Sequence, residues 1–86
     1  MDAIANEALA ELERDARAEE KDRLRKRWDR RWSQLRERLH NARVRACLMR
    51  IRADKNESYT EALERAEDAV EVAEAEFTNH KNNEPR

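Results

Sequence analysis

Two heptad repeats of apolar residues, separated by a short polar segment, place strong limits on how this chain can fold. Apolar residues spaced alternately three and four apart form the stripe along which one helix packs against another. The first repeat consists of Trp28, Trp32, Leu35, Leu39, Ala42, Ala46, Met49 and Ala53. The second repeat consists of Tyr59, Leu63, Ala66, Val70, Ala73 and Phe77. The pattern predicts two amphipathic helices.

The segment between the repeats carries a signal for a turn and a new helix. Residues 54–57 are polar and interrupt the apolar spacing. Ser58 and Glu61 then have the capping-box spacing, in which the Ser58 side chain accepts a hydrogen bond from the third helical amide and Glu61 reaches back. We therefore expect α-helix to end near residue 53 and to begin again at Ser58.

Folding the chain back at this turn brings the two repeats into register. Facing residues then have numbers that add to about 112, and large residues mostly face small ones, which lets the helices interdigitate. In this register Arg36 lies beside Glu74, and Arg43 lies beside Glu67. The expected fold class is all-α: a long N-terminal helix and a shorter antiparallel helix that form a coiled-coil-like helical hairpin.

The N-terminal part also has helical character, because it is rich in alanine and has apolar residues along one side. No glycine or proline separates it from the first repeat, so we expect one long helix over residues 1–53. A break near residues 19–22, which would give a three-helix bundle, is the alternative. We expect the second helix over residues 58–79 and a disordered tail over residues 80–86.

Charge divides the chain into three blocks, although the net charge is only −1. Residues 1–20 are acidic, residues 21–54 are basic and rich in arginine, and residues 55–86 are again acidic. The balanced total and the regular apolar spacing argue against intrinsic disorder. Each block has an oppositely charged partner within the protein, so the charges favour helix pairing.

The residues that usually carry chemistry are few and scattered. The chain has no glycine, one cysteine and two histidines, and therefore no glycine-rich phosphate loop and no internal disulfide. We expect no catalytic activity, no cofactor, no metal site and no small-molecule substrate. The lack of an apolar run of membrane-spanning length and the single Cys47 favour a soluble cytoplasmic protein.

A second apolar ridge on the first helix points to an interface. Val44, Leu48 and Ile51 lie almost opposite the heptad repeat, so the second helix cannot cover them. The segment available to cover them contains Ile4, Leu9 and Leu12, from the same chain or from a second copy. We favour a homodimer of antiparallel long helices, with facing residue numbers that add to about 56.

The functional expectation is protein binding through such a ridge, as an adaptor, a chaperone-like partner or an inhibitor of a host or target complex. The size is typical of inhibitors encoded by phages or mobile elements. Nucleic-acid binding is the alternative, because Arg23, Arg27 and Arg30 in the basic segment 21–31 line one side of the helix. Trp28 or Trp32 would stack on a base if exposed.

Overall fold

A computed structural model describes residues 2–85 and contains two long helices joined by a sharp turn. The first helix, α1, runs over Asp2–Lys55, and the second helix, α2, runs over Thr60–Asn82. A short 3-10 helix, Glu57–Tyr59, connects them. Because α2 packs back along α1, the predicted all-α helical hairpin is confirmed, and residues 2–85 contain no strand.

The helix α1 is continuous and nearly straight. Its 54 residues correspond to about 81 Å at 1.5 Å per residue, and the longest dimension of the structure is 82 Å. The Arg25 guanidinium pairs with Glu84 at 2.7 Å near the far end of α2. Residues 2–24, called the arm below, continue beyond this pair as a single helix, and every one of them is exposed. The alternative with a break near residues 19–22 and a three-helix bundle is therefore wrong.

The turn is built around Asn56 instead of Ser58. Asn56 has extended backbone, with φ −153° and ψ 115°, which ends α1. Its side-chain oxygen accepts a hydrogen bond from the Ser58 amide at 3.0 Å, and the Thr60 hydroxyl donates to the Glu57 carbonyl at 2.8 Å. The predicted capping box is thus wrong. Asparagine is as good a cap as serine, and its earlier position places Ser58 inside the 3-10 helix.

The core follows the predicted repeats and is small. On α1, Leu35 and Leu39 are buried, and on α2 Phe77 is half-buried at the same end of the hairpin. Nearer the turn a cluster forms from Ala46, Met49 and Ala66, with Ala62, Leu63 and Val70 packed against it. The small residues permit the close approach of the two helices, and the large ones fill the space between them.

The ion pairs between the helices differ from the sequence prediction by one heptad. Arg43 pairs with Glu74 at 3.2 Å, and Arg50 pairs with Glu67 at 3.5 Å. Arg36 was expected beside Glu74, and Arg43 beside Glu67. The reason is that side chains lean towards the N-terminus of their own helix. In an antiparallel pair the two leans converge, so the numbers of these two pairs add to 117 instead of 110, and those of the Arg38–Glu76 pair add to 114.

A cluster of four aromatic rings holds the open end of the hairpin. The Trp28 ring stacks on Trp32 and on His80, with centroids 5.1 and 4.7 Å away, and Phe77 lies 4.3 Å from Trp32. Trp28 Nε1 donates to the His80 carbonyl at 2.9 Å, and His80 Nε2 lies 2.9 Å from the Trp28 carbonyl. The predicted register, in which facing numbers add to about 112, would instead place His80 opposite Trp32. These contacts hold α2 in helical form to Asn82, whereas we expected disorder from residue 80.

Candidate binding surfaces on the first helix

The predicted apolar ridge is exposed in the structure. Val44, Leu48 and Ile51, called the outer ridge below, retain between 43% and 53% of their full exposure. Counted at about 100° per residue, the outer ridge lies about 180° from the buried residues of α1. Since α2 occupies that opposite side, nothing in the hairpin covers the ridge.

The arm carries the second predicted apolar set. Ile4, Leu9 and Leu12, called the arm stripe below, are between 56% and 72% exposed. Along a straight helix at about 100° per residue, Ile4 and Leu12 lie within about 50° of the outer ridge, and Leu9 lies about 90° from it, at the edge of this side. The two sets therefore lie on the same side of α1, the side turned away from α2. We call this side the outer face.

Three predicted arginines lie on the outer face between the arm stripe and the outer ridge. Arg23, Arg27 and Arg30 are exposed and form no ion pair with any residue of the range 2–85. Their neighbours differ, because Arg25 pairs with Asp29 at 3.4 Å and Lys26 pairs with Asp22 at 2.9 Å. The middle of the outer face is thus strongly basic.

The tryptophans are unsuited to the role considered for them in nucleic-acid binding. Trp28 and Trp32 are both half-buried, and their rings are engaged with His80 and Phe77. The Arg25 guanidinium lies 5.1 Å from the centre of the Trp28 ring, which covers it further. A base could stack on these rings only by displacing contacts that hold the hairpin closed.

On the rest of the described surface, few polar side chains converge on one point. One depression of about 530 Å³ lies between the helices and is lined in part by Leu39, Arg43 and Phe77. Within the described range 2–85, no three histidine, cysteine or carboxylate side chains converge as metal ligands would. None of the helices described has a segment apolar enough, over a sufficient length, to cross a bilayer.

The sequence predicts the arm stripe and the outer ridge as one interface and the three arginines as a separate nucleic-acid feature. The structure combines them, because α1 runs straight from Asp2 to Lys55 without a break. The available signal was the absence of any helix breaker between the arm and the outer ridge. No protein-family model, curated protein or solved structure matches the chain.

Proposed function

We propose that this protein is a non-catalytic helical module that acts by binding another protein along the outer face of α1. The observation that carries the proposal is that six large apolar side chains are exposed, five on this face and Leu9 at its edge. Single exposed apolar residues are ordinary, whereas an aligned set of branched ones is typical of an interface. They are Ile4, Leu9, Leu12, Val44, Leu48 and Ile51.

The energetics of the arm support the same proposal. The arm is a single helix about 35 Å long, with no side-chain hydrogen bond or ion pair to any described residue of α2. Helices stabilised only by their own hydrogen bonds are marginal in water. Full burial of a branched apolar side chain contributes about 1.5–3 kcal/mol, and roughly half of that remains available at these half-exposed positions. A partner on the outer face would therefore hold the arm helical.

A long exposed helix of this kind suits a protein that works by covering part of the surface of its partner. A straight helix with apolar residues three and four apart, flanked by charges, docks into grooves or against other helices. An adaptor, a chaperone-like partner and an inhibitor all use such contacts. We expect action in the cytoplasm, where the exposed Cys47 would remain a free thiol.

Site-specific photo-crosslinking in cells that produce the protein tests the proposal. A photoreactive residue at Leu48 or Leu12 should give a discrete protein adduct. Val72 is the matched control, because it is also apolar and 58% exposed but lies on α2. Adducts from Leu48 and Leu12 but not from Val72 support the proposal. Absence of adducts at both outer positions, or the same adducts from Val72, would overturn it.

Nucleic-acid binding is the second candidate, and the unpaired state of Arg23, Arg27 and Arg30 within residues 2–85 favours it. Such a row of guanidinium groups can follow a phosphate backbone and release counterions. The engaged tryptophans and the sequence pI near 6.2 weigh against it. Protein binding therefore remains the primary proposal.

A further inference from the structure

We infer that the occupant of the outer face is a second copy of this chain, bound in antiparallel orientation about a two-fold axis near residue 28. This deepens the proposed function and rests on it. Three observations point to a second copy, namely the apolar pairing, the charge pairing and the length of the face. Each is independent of the others.

The apolar residues match when one α1 lies antiparallel on another. Ile4 meets Ile51, Ala8 meets Leu48, and Leu12 meets Val44 of the second copy, with Leu9 at the edge of the contact. These pairs have numbers that add to 55, 56 and 56, so one register aligns all three. Because the axis is two-fold, each pair occurs twice. The arm of each copy then covers the outer ridge of the other.

The charges beside this apolar contact also match. In antiparallel helices, residues on one flank face residues on the same flank of the partner helix. One flank carries Arg38 and Arg45 beside the outer ridge, and Glu20 and Glu13 beside the arm stripe. Arg45 meets Glu13, with numbers that add to 58. Arg38 and Glu20 also add to 58, and Arg38 would share its charge between Glu20 and Glu76 of its own chain, which it contacts at 2.9 Å. The same lean of side chains that shifts the hairpin ion pairs brings these groups together.

The face is long enough for a stable dimer. Two helices in contact over about 81 Å, with an effective width of about 10 Å, bury about 800 Å² on each copy. This value matches the area per partner of an interface of standard size. A monomer leaves the same strip in water, with the arm unsupported.

The centre of this interface is repulsive, which gives the proposal a distinctive consequence. Arg30 would lie near Arg30 and Lys26 of the second copy, close to the two-fold axis. Arg23 would be partly neutralised by Glu37 of the second copy. The two ends must therefore hold the dimer together, and removing a central positive charge should tighten it. Few other modes of association predict that result.

Sedimentation equilibrium on the full chain over about 1 µM to 1 mM tests the inference. The wild type should approach twice 10.3 kDa, and Leu48→Glu should remain near 10.3 kDa. Val72→Glu on α2 is the matched control and should leave the wild-type mass unchanged. Circular dichroism of each variant checks that the hairpin is folded.

A charge swap then tests the register. Glu13→Arg should weaken dimerisation about tenfold, and Glu13→Arg combined with Arg45→Glu should recover most of the loss. Glu7→Arg, the same charge change on the other side of the arm, should recover nothing when combined with Arg45→Glu. Arg30→Leu should tighten the dimer by about threefold to tenfold, and Arg65→Leu on α2 should not.

A wild type that stays at 10.3 kDa up to about 1 mM would overturn the second copy as occupant. A dimer that survives Leu48→Glu, or that the charge swap does not rescue, would overturn this face or this register. The proposed function is judged separately by the photo-crosslinks. Adducts of foreign mass from Leu48 together with a monomeric wild type would retain protein binding and reject the dimer.

Discussion

Replacing Leu39 with alanine removes one of the most deeply buried large side chains of the hairpin. Leu39 is 6% exposed, so its loss combines a transfer term with a cavity term, which together cost about 2–5 kcal/mol in well-packed cores. Here the cavity would open onto the depression that Leu39 and Phe77 line between the helices. Water and neighbouring side chains can fill such a space, so we expect the lower part of that range, about 2–3 kcal/mol.

Thermal and denaturant melts followed by circular dichroism measure this loss. At about 4–8 °C per kcal/mol for a domain of this size, the midpoint should fall by about 10–20 °C. Leu24→Ala is the matched control, because Leu24 is 46% exposed and lies in the arm beyond the hairpin. It should change the midpoint by only a few degrees. Equal losses for the two variants would refute the account of where the core lies.

Three further predictions concern the turn, the open end and the basic segment. Asn56→Ala should destabilise the hairpin by about 1 kcal/mol in a denaturant melt, whereas Ser58→Ala should change its stability little. A larger loss for Ser58→Ala than for Asn56→Ala would instead support the capping box at Ser58. Trp28→Phe keeps a ring but loses the hydrogen bond to the His80 carbonyl, so about 1 kcal/mol should be lost; an unchanged melt would show that this bond contributes nothing. If nucleic acid binds at low salt, reversal of Arg23, Arg27 and Arg30 to Glu should abolish binding and flatten its salt dependence, whereas Arg65→Glu should not. Failure of the wild type to bind duplex and single-stranded probes at about 50 mM salt would eliminate that candidate.

The hairpin was predictable because burial repeats regularly along the sequence. Leu39 and Met49 belong to one heptad repeat and Ala66 to the other, and all three are buried. A single interruption between two such repeats leaves few alternatives to an antiparallel pair. Continuity of α1 followed from the lack of a helix breaker, although periodicity alone also permitted a break near residues 19–22.

The incorrect predictions concern features that depend on the direction of side chains or on which of two nearby residues makes a contact. Pairing by residue number places Arg43 beside Glu67, but the lean of both side chains brings Arg43 to Glu74. Ser58 and Asn56 are both good caps, and their relative position in the backbone selected Asn56. Pairing by residue number places His80 opposite Trp32, but the structure selects Trp28. That choice depends on two hydrogen bonds visible only in three dimensions.

The candidate binding surface was predictable in its residues but not in its geometry. The sequence identified Val44, Leu48 and Ile51 as a set that α2 cannot cover, and the structure leaves all three exposed. The arm could fold back only if the helix broke near residues 19–22. The spacing of apolar residues does not predict whether such a break occurs. What covers the outer face depends on contacts beyond a single chain.

The distance between the two Cys47 residues of a dimer tests the central proposal most directly. Cys47 is the one cysteine of the chain and is exposed, so a nitroxide label attaches at a single natural position. With the two-fold axis near residue 28, each label lies 19 residues from the axis, and the pair is separated by about 57 Å along α1. Pulsed electron resonance on the labelled wild type should therefore give a distance near 55–60 Å. Absence of dipolar coupling at concentrations of about 100 µM, or a short distance of about 10–20 Å as in a parallel pair, would contradict the antiparallel dimer.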